Sequence, residues 1–266
     1  MKGFILSLRS EFYKNRKTLG FWAAIILPFI LSLLIFLSFY TQSANMVNDP
    51  GSVLWVKYSG SILNVMGALL LPIFLIFIGY SVNNIEHKAD TWKTLFSLPI
   101  SKWAVYSAKF TYALFLVFMC LALFALLNIA SANLLGMLKP ELKFADYHME
   151  KVIFTIYFKL FLASLGIISI QFLMSLIWSD FLKPMGIGFI CTIIGVIAAA
   201  AKRKLVYLFV YAHPVLALQI MKPKVRKNLP PEIIVDVFTK EVYVSLIVFA
   251  VVFIAGFYIV QKRSIK

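Results

Sequence analysis

Acidic residues are scarce in this sequence: 11 Asp and Glu stand against 26 Lys and Arg in 266 residues, a formal net charge of +15. Cysteine (2) and histidine (3) are scarcer still. Each shortage removes a class of function. Cys120 and Cys191 both lie inside apolar runs, which gives no disulfide framework and no hint of redox compartment. His87, His148 and His213 are far apart, with no HExxH and no Cys/His pair at ligand spacing, so no metal site is expected. A GxxxxGK(S/T) loop is missing, so the chain has no P-loop cradle for ATP phosphates and no cofactor site of its own is expected. Segments of strict apolar–polar alternation are absent too, which argues against a membrane β-barrel.

What the chain has is apolar length. It is 62% hydrophobic and 16% aromatic, with a mean hydropathy of +0.90. Runs of ~20 apolar residues recur, each long enough to cross a ~30 Å hydrocarbon core as a helix. The expected fold is therefore all-α and integral to the membrane. The basic excess would suggest nucleic acid in a soluble protein, but no basic domain stands apart from the apolar runs. Cationic flanks that orient helices and meet anionic headgroups explain it, so membrane lipid is the expected partner and nucleic acid is not.

Taken in order, residues 1–18 place Phe4, Ile5, Leu8 and Phe12 against Lys2, Arg9, Lys14, Arg16 and Lys17, the pattern of a helix lying in the membrane interface. The run 19–40 is longer than a signal-peptide core and has no clear small-x-small cleavage site, so it reads as span 1, kinked at Pro28. A polar loop, 42–60, holds the turn Asn48-Asp49-Pro50-Gly51, with Trp55 and Tyr58 as interfacial anchors. Span 2 is 61–82, span 3 is 105–129 and span 4 is 152–178; residues 132–151 form an external loop. Span 5 is 185–201 and span 6 is 242–260, giving six spans in one transmembrane domain over 1–266. The basic residues before span 1 place the N-terminus in the cytoplasm, and six crossings return the C-terminus there.

Residues 202–240 leave two readings open. Leu205–Met221 is apolar but broken by His213-Pro214, which suits a re-entrant hairpin between spans 5 and 6. Counted as a true span, it would move most of the following Lys and Arg inside and the C-terminus outside. With six spans the Lys and Arg divide about evenly between the two sides, so charge bias does not choose.

The long polar interruption, Asn83–Phe110, carries the most specific pattern. At helical period Ile85, Ala89, Trp92 and Phe96 share a face with Leu95 beside them, opposite Glu86, His87, Asp90, Lys93 and Thr94. This predicts a short amphipathic helix capped by Asn83 or Asn84. Pro99 ends it, and Ser101 caps a second helix beginning Lys102-Trp103. A helix, a proline break and a second helix at a membrane boundary make a stiff protrusion that another protein can grip. Glu86 is the leading candidate there, either pairing with a basic residue of a partner, bracing against Lys93 or Lys102, or simply solvated. Trp92, Leu95 and Phe96 are either interfacial anchors or knobs for a partner's groove.

At Glu86, Thr91-Trp92-Lys93, Leu98-Pro99-Ile100-Ser101-Lys102 and Lys109 the chain resembles bacterial ABC-2-type permeases with an "E…TWK…LPISK/R…K" signature. The nearest branch is the permeases of lantibiotic-immunity and bacitracin-resistance exporters. The resemblance implies an N-terminal elbow helix, a cytoplasmic coupling helix at 84–102 between spans 2 and 3, and a re-entrant element before span 6. It implies ATPase-coupling roles for Glu86, Asp90, Trp92, Lys93, Leu95, Phe96, Pro99 and Lys102. Its partners would be a separate ABC ATPase subunit, which holds ATP and Mg, and a second permease copy or sister permease. Spans 2 and 5 would line the permease–permease interface, with Gly67, Gly79, Gly188 and Gly195 as candidates for close packing. The implied activity is export of an amphipathic or hydrophobic substrate, a peptide antibiotic or lipid-like molecule, from a bacterial plasma membrane, with no enzymatic step in this chain.

Two polar residues of span 4 need weighing. Lys159 either marks a pathway or snorkels to the nearby headgroups, and Gln171 suits a hydrogen bond across a helix interface. Two rivals remain: a non-transporting membrane anchor or assembly subunit docking a cytoplasmic partner through the same protrusion, and a membrane enzyme. The enzyme would need catalytic groups at depth, and none of the six expected spans contains Asp or Glu.

Overall fold

A computed structural model describes residues 2–97, 99–219 and 235–262. The fold is all-helical, with six helical stretches long and apolar enough to cross a membrane among the described residues. Helix α1 is Lys2–Asn15, and α2 is Leu19–Thr41. The Thr18 side chain accepts from the Phe21 N–H at 3.3 Å and caps α2, fixing the break between them.

Helices α3 (Gly51–Val65) and α4 (Leu71–Ala89) join through a wider π-type turn, Met66–Leu70, into one 39-residue stretch. The loop expected over 42–60 is therefore shorter, because Pro50, at φ −61° with an extended ψ of 147°, stands at the N-cap of a helix that starts at Gly51. Trp55 and Tyr58 are not interfacial anchors. Both are fully buried: the Trp55 indole N–H donates to the Phe144 carbonyl at 2.9 Å and the Tyr58 hydroxyl to Ser131 at 2.7 Å.

The helix predicted to begin at Asn83 or Asn84 does not start there. The helix α4 continues to Ala89, and Asp90 ends it in the left-handed region at φ 46°. Asn83 instead reaches across to α7 (Glu150–Ile177), donating to the Ser175 hydroxyl at 2.9 Å and the Phe172 carbonyl at 3.3 Å. The short α5 (Trp92–Ser97) follows, then Pro99. Ser101 caps α6 (Lys102–Leu138) as its sequence predicts, accepting from the Ala104 N–H at 3.3 Å.

The inner helices are α4, α6 and α7, while α2, α8 (Leu182–Ala200) and α10 (Lys240–Lys262) lie outside them. The outer helices show apolar rows to the surroundings, such as Trp22, Ile26, Phe29 and Leu33 on α2. Lipid tails solvate such rows as readily as a protein core would, so here close packing and polar contacts hold the helices together. Between α8 and α10, residues 206–212 form two tight 3-10 turns that lead into α9 (His213–Gln219). Seven residues of α9 do not span a membrane, so Leu205–Met221 is not a seventh span in its described part; residues 220–234 lie outside the described residues.

A ring of four charges behind the 90–101 segment

Where α1, the end of α4 and the start of α6 meet, four charged side chains close a ring. Lys14 contacts Glu11 at 2.7 Å and Glu86 at 2.6 Å; Lys109 contacts the same two carboxylates at 3.2 and 2.5 Å. Charges alternate around the ring and cancel. Only Lys14 keeps appreciable exposure, with Glu11, Glu86 and Lys109 buried to within 3% of complete. Lys109 completes its three donors with the Val82 carbonyl at 3.1 Å, and Asn15 donates to Glu11 at 3.2 Å. Burial pulls the Lys14 ammonium down, but Glu11 and Glu86 outweigh it and hold its pKa above the usual 10.5.

Glu86 is therefore neither solvated nor turned toward a partner. It braces the segment, as one reading allowed, and the partners it takes are Lys14 and Lys109. The reason is distance along the fold: α1 and α6 flank the last turn of α4 and bring their ammonium groups to it. Lys102 instead donates to the Gln261 carbonyl in α10 at 3.4 Å.

Trp92 also turns inward. Its indole N–H donates to His87 Nδ1 at 3.2 Å, while Nε2 of the same ring faces the Ser175 carbonyl at 2.8 Å. A donor at one ring nitrogen and an acceptor at the other set the Nε2–H tautomer. The Trp92 ring lies 5.6 Å from the Lys109 ammonium and beside Val105, Tyr106, Phe172 and Leu176. Its anchor or knob role thus gives way to a plug in the end of the chain's own bundle. Asp90, Thr94 and Pro99 are exposed, and Leu95 is half-buried; the side chains of Lys93 and Phe96 lie outside the described part.

The four glycines expected between two permeases make their close approaches within this chain. A Cβ on Gly79 would sit 3.0 Å from the Gln171 and Phe172 backbone; on Gly188, 2.3 Å from Gln171 Nε2; on Gly195, 2.6 Å from the Tyr211 carbonyl; on Gly67, 2.2 Å from Leu218. A helical glycine has one Cβ direction, and in each case another element of the chain fills it. Gln171 does bond across an interface as expected, donating to the Tyr211 hydroxyl at 2.7 Å.

Sequence reasoning missed Glu11, Lys14, Asn15 and His87 as site residues and gave Lys109 no role. A signal was present for Lys109, since a lysine within the expected span 3 is the kind of charge that marks function at depth. Among the described residues no three His, Cys, Asp or Glu side chains converge as metal ligands. Both ring carboxylates are neutralised by lysines, an arrangement suited to fixing helices to one another and not to proton transfer.

These features, a six-span helical bundle with a short polar segment braced at one end, define a multi-pass membrane protein. Residues 7–195 match the family described as ABC-2 family transporter protein. The chain belongs to that family, the membrane components of ABC transporters. No curated protein and no solved structure matches it.

Proposed function

We propose that the chain is the permease subunit of an ATP-driven exporter, working with a separate ABC ATPase and a second permease, and moving an amphipathic or hydrophobic substrate out of a bacterial plasma membrane. The lantibiotic-immunity and bacitracin-resistance permeases are the subtype its 86–109 signature resembles. In this reading α1 is the interfacial elbow, 84–102 is the cytoplasmic coupling segment, 202–240 holds a re-entrant element, and both termini are cytoplasmic.

The observation that carries the reading is the charge ring. It ties α1, the end of α4 and the start of α6 directly behind exposed Asp90, Thr94 and Pro99. A push on that surface is passed to three elements at once, because each carboxylate holds two lysines on different helices. Trp92 and His87 extend the path to α7 through Ser175. An ATPase closing on the segment would thus tilt the inner helices as a unit.

The test is co-purification of the tagged chain from its native host under mild solubilisation, with the accompanying proteins identified. A Walker-motif ATPase is expected with the wild type, diminished by Thr94→Arg on the exposed face, and retained but uncoupled in Trp92→Ala. If no nucleotide-binding protein accompanies the wild type, the chain is a membrane anchor and not a permease.

A further inference from the structure

A second buried charge pair lies far from the ring. Lys159 sits sixteen residues along α7 from Ser175, roughly 24 Å at 1.5 Å per residue. Its side chain has no solvent exposure, so it does not snorkel to headgroups. It faces Glu241, in the first turn of α10, at 3.3 Å, and Glu241 is itself buried. Glu241 Oε1 takes both Lys159 and the Thr239 hydroxyl.

The two pairs differ in how well they are satisfied. Lys109 has three acceptors, whereas the Lys159 ammonium, among the described residues, makes an ion pair but no hydrogen bond. A buried ammonium with spare donors is held mainly by charge, from Glu241 first and Asp236 more weakly, so the contact is strong only while both helices stay in register. One turn further along α10, the Ser245 hydroxyl enters the α7 backbone, accepting from the Gly166 N–H at 2.9 Å and lying 2.9 Å from the Leu162 carbonyl. Gly166 is also where the 206–219 segment arrives, since a Cβ there would meet Val210 at 2.6 Å. Three elements therefore converge one or two turns from the ion pair.

We propose that Lys159 and Glu241 form a latch that closes α10 onto α7 and thereby clamps the 206–219 segment at Val210. Breaking the pair leaves one charge buried without its close counterion, with Asp236 only a weaker second carboxylate for Lys159. That charge reaches for water, the helices part, and Val210 loses the cover that Ser245 of α10 supplies beside Gly166. The latch gives the bundle two arrangements at the end away from the charge ring, one with the segment clamped and one with it free.

The experiment places Val210→Cys in a background with Cys120→Ala and Cys191→Ser, and follows labelling by a maleimide in the solubilised protein. With the latch intact Val210→Cys is protected. Lys159→Met and Glu241→Gln each raise the labelling rate about tenfold through local opening. The charge swap K159E/E241K returns it toward the protected rate, which a loss of packing volume alone would not do. Thr239→Val, a milder change on the same carboxylate, keeps the test open should the charge variants fail to fold, with a smaller rise expected. Single variants that remain monodisperse and label no faster than the parent overturn the latch, as does a swap that labels as fast as the singles. No ATPase is involved, so the latch can fail while the transporter reading stands.

Discussion

The Lys109 ammonium lies 2.5 Å from Glu86 Oε2, deep between α4 and α6, and Glu86 uses its other oxygen for Lys14 in α1. One carboxylate thus belongs to three helices. Removing Lys109 leaves Glu11 and Glu86 sharing Lys14, with one buried negative charge uncompensated. Lys109→Met is expected to destabilise the protein by about 3–5 kcal/mol, the cost of breaking a buried pair from one side. The double variant K109M/E86Q, which keeps the Glu11–Lys14 pair neutral, loses less than Lys109→Met alone. Thermal unfolding in detergent reads both; a double variant worse than the single would mean the ring is not organised around charge balance.

How much of this was legible in the sequence follows from what periodicity can see. Apolar runs marked six spanning helices because a helix in lipid reports its surroundings in its own composition. Pro99 and Ser101 were legible because their effects are local to the backbone. Glu86 was not. On a helical wheel a carboxylate beside His87 and Asp90 looks like a solvated face, and its real partners lie 72 and 23 residues away. The same limit hid Lys159, whose counterion is on α10, and turned Trp55, Tyr58 and Trp92 outward when all three find hydrogen-bond partners inside. The glycines were recognised as close-packing sites, but a sequence does not say whether the neighbour is the same chain.

The ring also predicts an alkaline limit. Lys14 is held above 10.5 by Glu11 and Glu86 against the opposing effect of burial. Its folded-state pKa is raised, so its contribution is fully present below 10.5 and fades as pH climbs through the raised value. The difference in melting temperature between the parent and Lys14→Met should accordingly be widest near neutrality and narrow well above 10.5. A gap that stays constant into strong alkali would show that Lys14 contributes by packing and not by charge.

Glycine substitutions separate intramolecular packing from empty surface. Gly79→Ala pushes a methyl onto the α7 backbone at Gln171 and Phe172, and Gly195→Ala onto the Tyr211 carbonyl, neither of which can swing aside. Each is expected to lose about 1–3 kcal/mol. Gly186→Ala on α8 meets nothing within 4 Å and should gain roughly 0.5–1 kcal/mol from helix propensity. Unfolding of purified single protomers decides the matter: if Gly79→Ala is harmless there, the close approach of α4 to α7 is looser than the structure has it.

Sidedness is the property that charge counting left open, and α6 makes it measurable. Asp90 and Glu141 are both exposed and stand on opposite flanks of that single 37-residue helix. In the cysteine-free background, Glu141→Cys should react with a membrane-impermeant maleimide on intact cells, while Asp90→Cys should react only after the membrane is opened. A tag after Lys266 should behave like Asp90→Cys, because α7, α8 and α10 add three further crossings after Glu141. The reverse labelling pattern would put the charge ring on the outer face and end the ATPase-coupling reading, since no ATPase operates there. Labelling of both positions from the same side would instead show that α6 does not cross. A C-terminal tag on the side opposite Asp90 would mean that the segment between α8 and α10 crosses after all.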